Sequence, residues 1–399
     1  MTVSSQRHSS WTQLTGHIAA YPWAYYLLLL LAIGFAQFWD ARLFTWFADD
    51  FRALDHIEKI GNNVGVLFSP DHVDSGRPAT TLYIMAFAAI WGDYQTPVHL
   101  GLIMFHILAS WTLAWTLGRV GYETFLGMMT GLLFLFSVSS YEVPYWVSCL
   151  SYPGSLAFGC LGIVNYLQHT STHRRSPVLL SVASFAISAS FHAGGIVFTF
   201  LALYFGWRRK VAWSILVRSG WIPVVTSAGI SVIFLLTFPL HVQNESTTHA
   251  GDPFHLAWVT TAYLGRTFLS SHWLSQSLLY VRSALDFVVG CLLLGVAIVM
   301  IVYKRVRPVD AIVWSALALP IFSGTNHLEY QSRYFYFANV GPALLLAWLL
   351  IRAAEWLGAG RGSVLKTGIR GAGVACILTI SHLQHERAEA VFWGADGTP

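Results

Sequence analysis

The feature that most constrains this chain is a series of apolar runs close to membrane-spanning length: Tyr25 to Phe38, Leu102 to Leu117, Ile222 to Phe238, Phe287 to Val302 and Ala343 to Ile351. About 20 apolar residues in a helix cover the ~30 Å of hydrocarbon in a bilayer. Backbone polar groups in lipid have no water to bond, so such runs must close their hydrogen bonds within themselves as helices. Charged residues make up 11% of the chain, against roughly 25% in soluble domains. A water-soluble fold is thereby excluded, and residues 1–399 read as a single all-α transmembrane domain.

The segment Ala79 to Trp91 is too short to cross, since 13 helical residues reach only about 20 Å, and it reads as an interfacial helix. With that choice the sequence predicts eleven crossings, at 21–39, 97–117, 123–140, 150–167, 177–191, 193–207, 219–239, 283–303, 309–325, 333–351 and 368–382. Residues 1–20 form a cytoplasmic tail before a retained anchor. An external loop with interfacial helices covers 40–96, and a second external loop covers 240–282.

Lys and Arg test this topology. Fifteen of the 23 fall on the tail side, among them Arg119, Arg174, Arg175, Arg208, Arg209, Lys210, Arg307 and Arg352, together with three of the 19 acids. Basic residues gather on the cytoplasmic side of membrane proteins. If Ala79 to Trp91 crossed, every later loop would change sides and this asymmetry would vanish. The pair 177–191 and 193–207 fits either a helical hairpin or one tilted helix broken at His192, Gly194 and Gly195. Within 240–282, Phe254 to Leu279 is apolar enough for a re-entrant or an interfacial helix.

The polar residues of the external side carry the candidate chemistry. Asp49 and Asp50 follow the first helix directly, flanked by Trp46, Phe47 and Phe51. Two adjacent carboxylates beside apolar rings suit a general base that takes a proton from a hydroxyl; the same doublet also fits an exposed loop. Arg77, at the start of the interfacial helix, has the planar fork that holds phosphate, or it snorkels to lipid headgroups. Glu142 and Arg333, the latter beside Tyr334, lie on the same side. His99 and His106 are seven residues apart and share a helix stripe, a spacing that cannot clamp one haem iron from both sides. His192 marks a helix break. The four cysteines form no C-x-x-C pair, so neither a zinc site nor a disulfide framework is indicated, and there is no P-loop or basic groove for nucleic acid. Mid-helix acids are nearly absent, Asp286 being the nearest exception, which disfavours a transporter.

The order of these features, Phe47-x-Asp49-Asp50, Ile60, Asn63, Arg77-Pro78, Gly92, Pro97, His99-Leu100, His106, Tyr141-Glu142 to Trp146, Leu156, Tyr166 and Ser332-Arg333-Tyr334-Phe335-Tyr336, resembles the C-type membrane glycosyltransferase superfamily. It is most similar to the polyprenyl-phosphate-sugar O-mannosyltransferases and their bacterial relatives, over about residues 25–350. The resemblance implies sugar transfer from a polyprenyl-phosphate donor to a protein or lipid-linked glycan acceptor on the external face, with no nucleotide. Asp49 or Asp50 would be the base and Glu142 a second catalytic acid positioning acceptor or a divalent metal, with no metal ligand set of its own. Arg77, Arg333 and Tyr334 would hold the donor phosphate, with His99 and His192 as further substrate contacts. The implied location is the bacterial inner membrane, or the endoplasmic reticulum membrane in a eukaryote. Two positions depart from the family: Ser148-Cys149 replaces Gly-Arg, and Phe191-His192 replaces Lys-Glu. Those departures frame the alternative, a non-catalytic subunit of a larger membrane complex.

Overall fold

The computed structural model describes residues 21–43, 54, 58, 77–92, 94–137, 143–172, 174–237, 253–269, 279–302, 307–319 and 335–357, with single positions 368, 371, 375 and 379. Among them twelve α-helices form and no strand. They are α1 Pro22–Phe38, α2 Pro78–Trp91, α3 Thr96–Val120, α4 Thr124–Leu135, α5 Ser151–Thr172, α6 Arg175–Phe191, α7 Val197–Arg208, α8 Trp213–Thr237, α9 Pro253–Leu269, α10 Leu279–Val302, α11 Arg307–Ala318 and α12 Val340–Leu357. The first three each carry a proline in the opening two positions, where a missing N–H costs no helical bond. Gly121 closes α3 at φ 114°, returning its N–H to the carbonyls of Leu117 and Gly118, a left-handed cap that glycine adopts without strain.

Among the described residues five stretches are long and apolar enough to cross a membrane: Pro22–Leu43, Thr96–Val120, Val147–Thr172, Trp213–Val232 and Ala284–Val302. The most apolar of them, on α10, is also the least buried. It presents Val288, Leu292, Val296, Ile298 and Val299 outward. A soluble protein does not leave such a face uncovered, whereas lipid covers it without cost. The chain is an all-α membrane protein. Helix α2, with 14 residues, reaches about 21 Å, as the interfacial reading requires.

Small residues set the packing. Gly127 and Gly131 of α4 lie against the backbone of Ala114 and Ser110 on α3, and Gly154 and Gly162 of α5 lie under the rings of Phe191 and Phe185 on α6. A Cβ at any of these four would come within 2.6 Å of a neighbour. Without a hydrophobic driving force between helices in lipid, such close approach supplies the association energy through dispersion and short polar contacts. The contacts also fix direction: Gly159 meets Phe198 and Gly206 approaches Tyr166, so α7 runs parallel to α5 while α6 runs antiparallel to both. The segment around His192 is therefore a hairpin, and the single broken helix is excluded.

Three expectations are corrected. The crossing placed at 333–351 begins instead as turns over Phe335 to Asn339, with α12 starting at Val340. The Trp314 indole N–H and the Ser315 hydroxyl donate to the Phe337 and Ala338 carbonyls at 3.1 and 2.6 Å, so those carbonyls are spent across the interface. Pro342 then sits in the first turn of α12, where it is tolerated. The helix expected at 123–140 ends at Leu135 with Phe136 as its cap, and that expected at 309–325 runs to Ala318, with 320–325 outside the described residues. The stretch 240–282 is more than a loop: α9 runs antiparallel along α10, with Gly265 on the Asp286 carbonyl and Gly290 on that of Thr261, so it is inserted beside α10 and does not lie along the surface. The crossing expected at 368–382 falls almost wholly outside the described residues.

Candidate functional site

The helix directions sort the described charges into two ends. At one end Asp310 of α11 accepts from the hydroxyls of Tyr122 and Tyr204 and pairs with Arg208, joining the α3–α4 turn, the end of α7 and the start of α11. At the other end the Thr96 hydroxyl donates to the Arg42 carbonyl at 3.2 Å. The same end holds the start of α3, helix α2 and the α6–α7 break. Arg77, His99 and His192 all belong to it, opposite Arg208 and its neighbours. Asp49, Asp50, Glu142, Arg333 and Tyr334 lie outside the described residues.

Helix α2 lies across this end. The Tyr83 hydroxyl donates to the Val98 carbonyl at 3.0 Å, and its ring rests where a Cβ on Gly101 would stand. Ile84 packs with Val98 and Val147, while Ala79 and Tyr83 meet Leu102, Leu150 and Phe191. These contacts seat the N-terminus of α2, with Arg77, near the α6–α7 break.

The three histidines differ in what they have left to offer. His106 is fully used: its Nε2 lies 3.1 Å from the Leu135 carbonyl and its Nδ1 2.8 Å from the Tyr336 hydroxyl. A carbonyl only accepts, so Nε2 carries the proton and Nδ1 accepts from Tyr336. At His192, Nδ1 accepts from the Gly194 backbone N–H at 2.9 Å, capping the turn Ala193–Ile196. Its ring lies 4.9 Å from that of Tyr152. His99 is the opposite case: it is 0% exposed and neither ring nitrogen has a hydrogen-bond partner. One helix away the Thr80 hydroxyl is likewise buried and unpartnered. A buried polar group without a partner costs about 1–3 kcal/mol, so two in adjoining elements call for an external partner.

His99 stands seven residues outward of His106 on one stripe of α3, about 10 Å by helical rise. Beneath it the rings of His106, Tyr336, Tyr152, Phe337 and His192 form a continuous contact column. Outside this column of aromatic rings stand the unpartnered polar groups of Thr80 and His99, at the end that also holds Arg77. Sequence spacing singled out Arg77 and His99. It missed Thr80, whose only signal is its position three residues after Arg77, on the same face of α2.

Arg266 of α9 lies within the stretch 240–282. It is buried at 3% exposure, its Nε donates to Asp286 at 3.0 Å, and its guanidinium lies 5.5 Å from the Tyr263 ring. The pair joins α9 to α10, and the nearest mid-helix acid thus finds its counter-charge within the hairpin. Among the described residues no three His, Cys, Asp or Glu side chains converge in a metal-binding group. Comparison with family models, curated proteins and solved structures returns no match.

Proposed function

We propose that the chain is a membrane glycosyltransferase on the C-type plan, with eleven crossings, a cytoplasmic N-terminus and an external active site. It moves a sugar from a polyprenyl-phosphate donor to a protein or lipid-linked glycan acceptor. The observation that carries this reading is the pair His99 and Thr80, buried and unpartnered at the end of the molecule that also holds Arg77. A phosphate beside a sugar hydroxyl needs that mixture of one fixed cation and several neutral donors and acceptors.

In the reaction, Asp50 or Asp49 takes the proton from the acceptor hydroxyl as its oxygen attacks the anomeric carbon. The bond from that carbon to the phosphate oxygen breaks, and the lipid phosphate leaves with the electron pair. Arg77, with Arg333 and Tyr334, stabilises the charge gathered on it, so the leaving group needs no nucleotide. Glu142 positions the acceptor. His99 donates one ring N–H and accepts with the other nitrogen, holding the donor between phosphate and sugar.

The test is Asp50→Asn in purified protein, assayed for transfer of radiolabelled hexose from polyprenyl phosphate. Transfer is lost while the protein still inserts and elutes as a single species; full activity in the variant refutes the assignment.

A second reading has its own observation. Cys149 and Phe191, at the places where relatives of this plan carry Gly-Arg and Lys-Glu, are both buried in apolar clusters. A non-catalytic subunit of a membrane complex accounts for this directly. Co-purification with other membrane subunits at fixed stoichiometry supports it, and a monomer that turns over donor excludes it.

A further inference from the structure

The end opposite His99 and Thr80 carries a concavity. Its volume is about 280 Å³, and it is built on one stripe of α5, where Val164, Leu167, Gln168 and Ser171 succeed one another at helical spacing. Trp115 and Arg119, one turn apart on α3, form the facing wall, and Arg209 closes it from the end of α7.

The charge of this groove is uncompensated. Arg208, one residue away, is neutralised by Asp310, but the lining of the groove contains two guanidiniums and no carboxylate. Arg119 lies over the Trp115 ring at 5.5 Å, a cation–π contact that holds it against the wall. Arg209 is held by a helix cap. The N–H of Val211 returns to Gly206 at 3.2 Å and that of Lys210 to Trp207 at 2.9 Å, the paired bonds of a Schellman motif. Lys210 takes the left-handed position at φ 59° that glycine usually fills. The cap fixes the backbone from which Arg209 reaches the groove.

The apolar part of the lining is equally specific. Val164 and Leu167 are buried at the floor, and Trp115 stacks on Trp111 at 6.1 Å and 2°. The Trp111 indole donates to the Trp23 carbonyl at 2.9 Å. Three indoles beside two arginines are the composition of a membrane–water boundary. A cavity of this volume takes a phosphate with a glycerol-sized group but not an acyl chain, which would run outward along the apolar helix flanks.

We infer that this groove binds the phosphate headgroup of an anionic glycerophospholipid from the basic-side leaflet, with Arg119 and Arg209 on the phosphate, Gln168 and Ser171 on the head alcohol and Trp115 against the glycerol. The site is independent of the sugar-transfer chemistry at the other end.

The experiment uses the full chain in detergent, titrated with phosphatidylglycerol or phosphatidylcholine and read by native mass spectrometry. Phosphatidylglycerol binds at one per chain, about tenfold or more tighter than phosphatidylcholine, because both present the phosphate but choline sets a cation beside two guanidiniums and has no hydroxyl for Gln168 and Ser171. Arg119→Gln with Arg209→Gln abolishes the preference. Ser171→Trp, which fills the groove without altering charge, abolishes binding. Equal binding of the two lipids, or an unchanged preference in either variant at unchanged melting temperature, overturns the proposal. A soluble arm decides the source of the phosphate: glycerol phosphate competes only at far higher concentration, and competition at equal concentration overturns the lipid assignment in favour of a free phosphate ester.

Discussion

Replacing His99 by leucine separates a ligand-binding histidine from a packing one by the sign of its effect on stability. The ring is wholly buried and neither nitrogen is bonded. The resting protein therefore carries a desolvation penalty of about 1–3 kcal/mol that leucine does not. Leucine is close in volume and apolar, and a shape change of that kind costs less than about 1.5 kcal/mol. The expected net effect is a gain of about 1 kcal/mol. With an unfolding entropy of ~2.1 cal/mol/K per residue, a chain of this length changes its melting temperature by only about 1 °C per kcal/mol. Thermal melts followed by fluorescence size-exclusion resolve such a shift in replicate. The same variant loses donor binding and sugar transfer, the usual trade between stability and a built site. A His99→Leu protein that melts lower and transfers normally refutes the argument, because His99 would then be a bonded core residue.

Further outcomes follow from the same structure. Asp310→Ala removes the acceptor of Tyr122, Tyr204 and Arg208 and destabilises by about 3–5 kcal/mol, visible as a loss of monodisperse protein on extraction and a lower melting temperature. Gly265→Ala places a Cβ 1.8 Å from the Asp286 carbonyl, so α9 and α10 separate and the Arg266–Asp286 pair is strained; reduced thermal stability is expected, and an unchanged melt contradicts the close crossing. In a background with all four cysteines replaced, Arg42→Cys and Ser171→Cys react with a membrane-impermeant maleimide from opposite sides of sealed vesicles. Labelling from one side collapses the two-ended arrangement.

What the sequence determined by itself was the medium and the helical class. Runs such as Phe287 to Val302 have no stable home except lipid, and lipid permits only backbone that bonds itself. The uneven arginines then set the orientation expected for the bundle, because basic residues near short loops are retained on the cytoplasmic side. The break at His192 was legible too, from two glycines after it. Only the tertiary structure decided the rest. Whether 177–207 was one helix or a hairpin depended on glycines of α5 receiving rings from both arms. That α9 inserts beside α10 depended on Gly265 and Gly290 meeting across a distance of some 25 residues. The role of each histidine was invisible in sequence for the same reason: His106 and His99 share one stripe of one helix, yet one finds the Leu135 carbonyl and Tyr336 and the other finds nothing. Hydrogen-bond satisfaction is a property of what the fold brings alongside a side chain, and no local pattern encodes it.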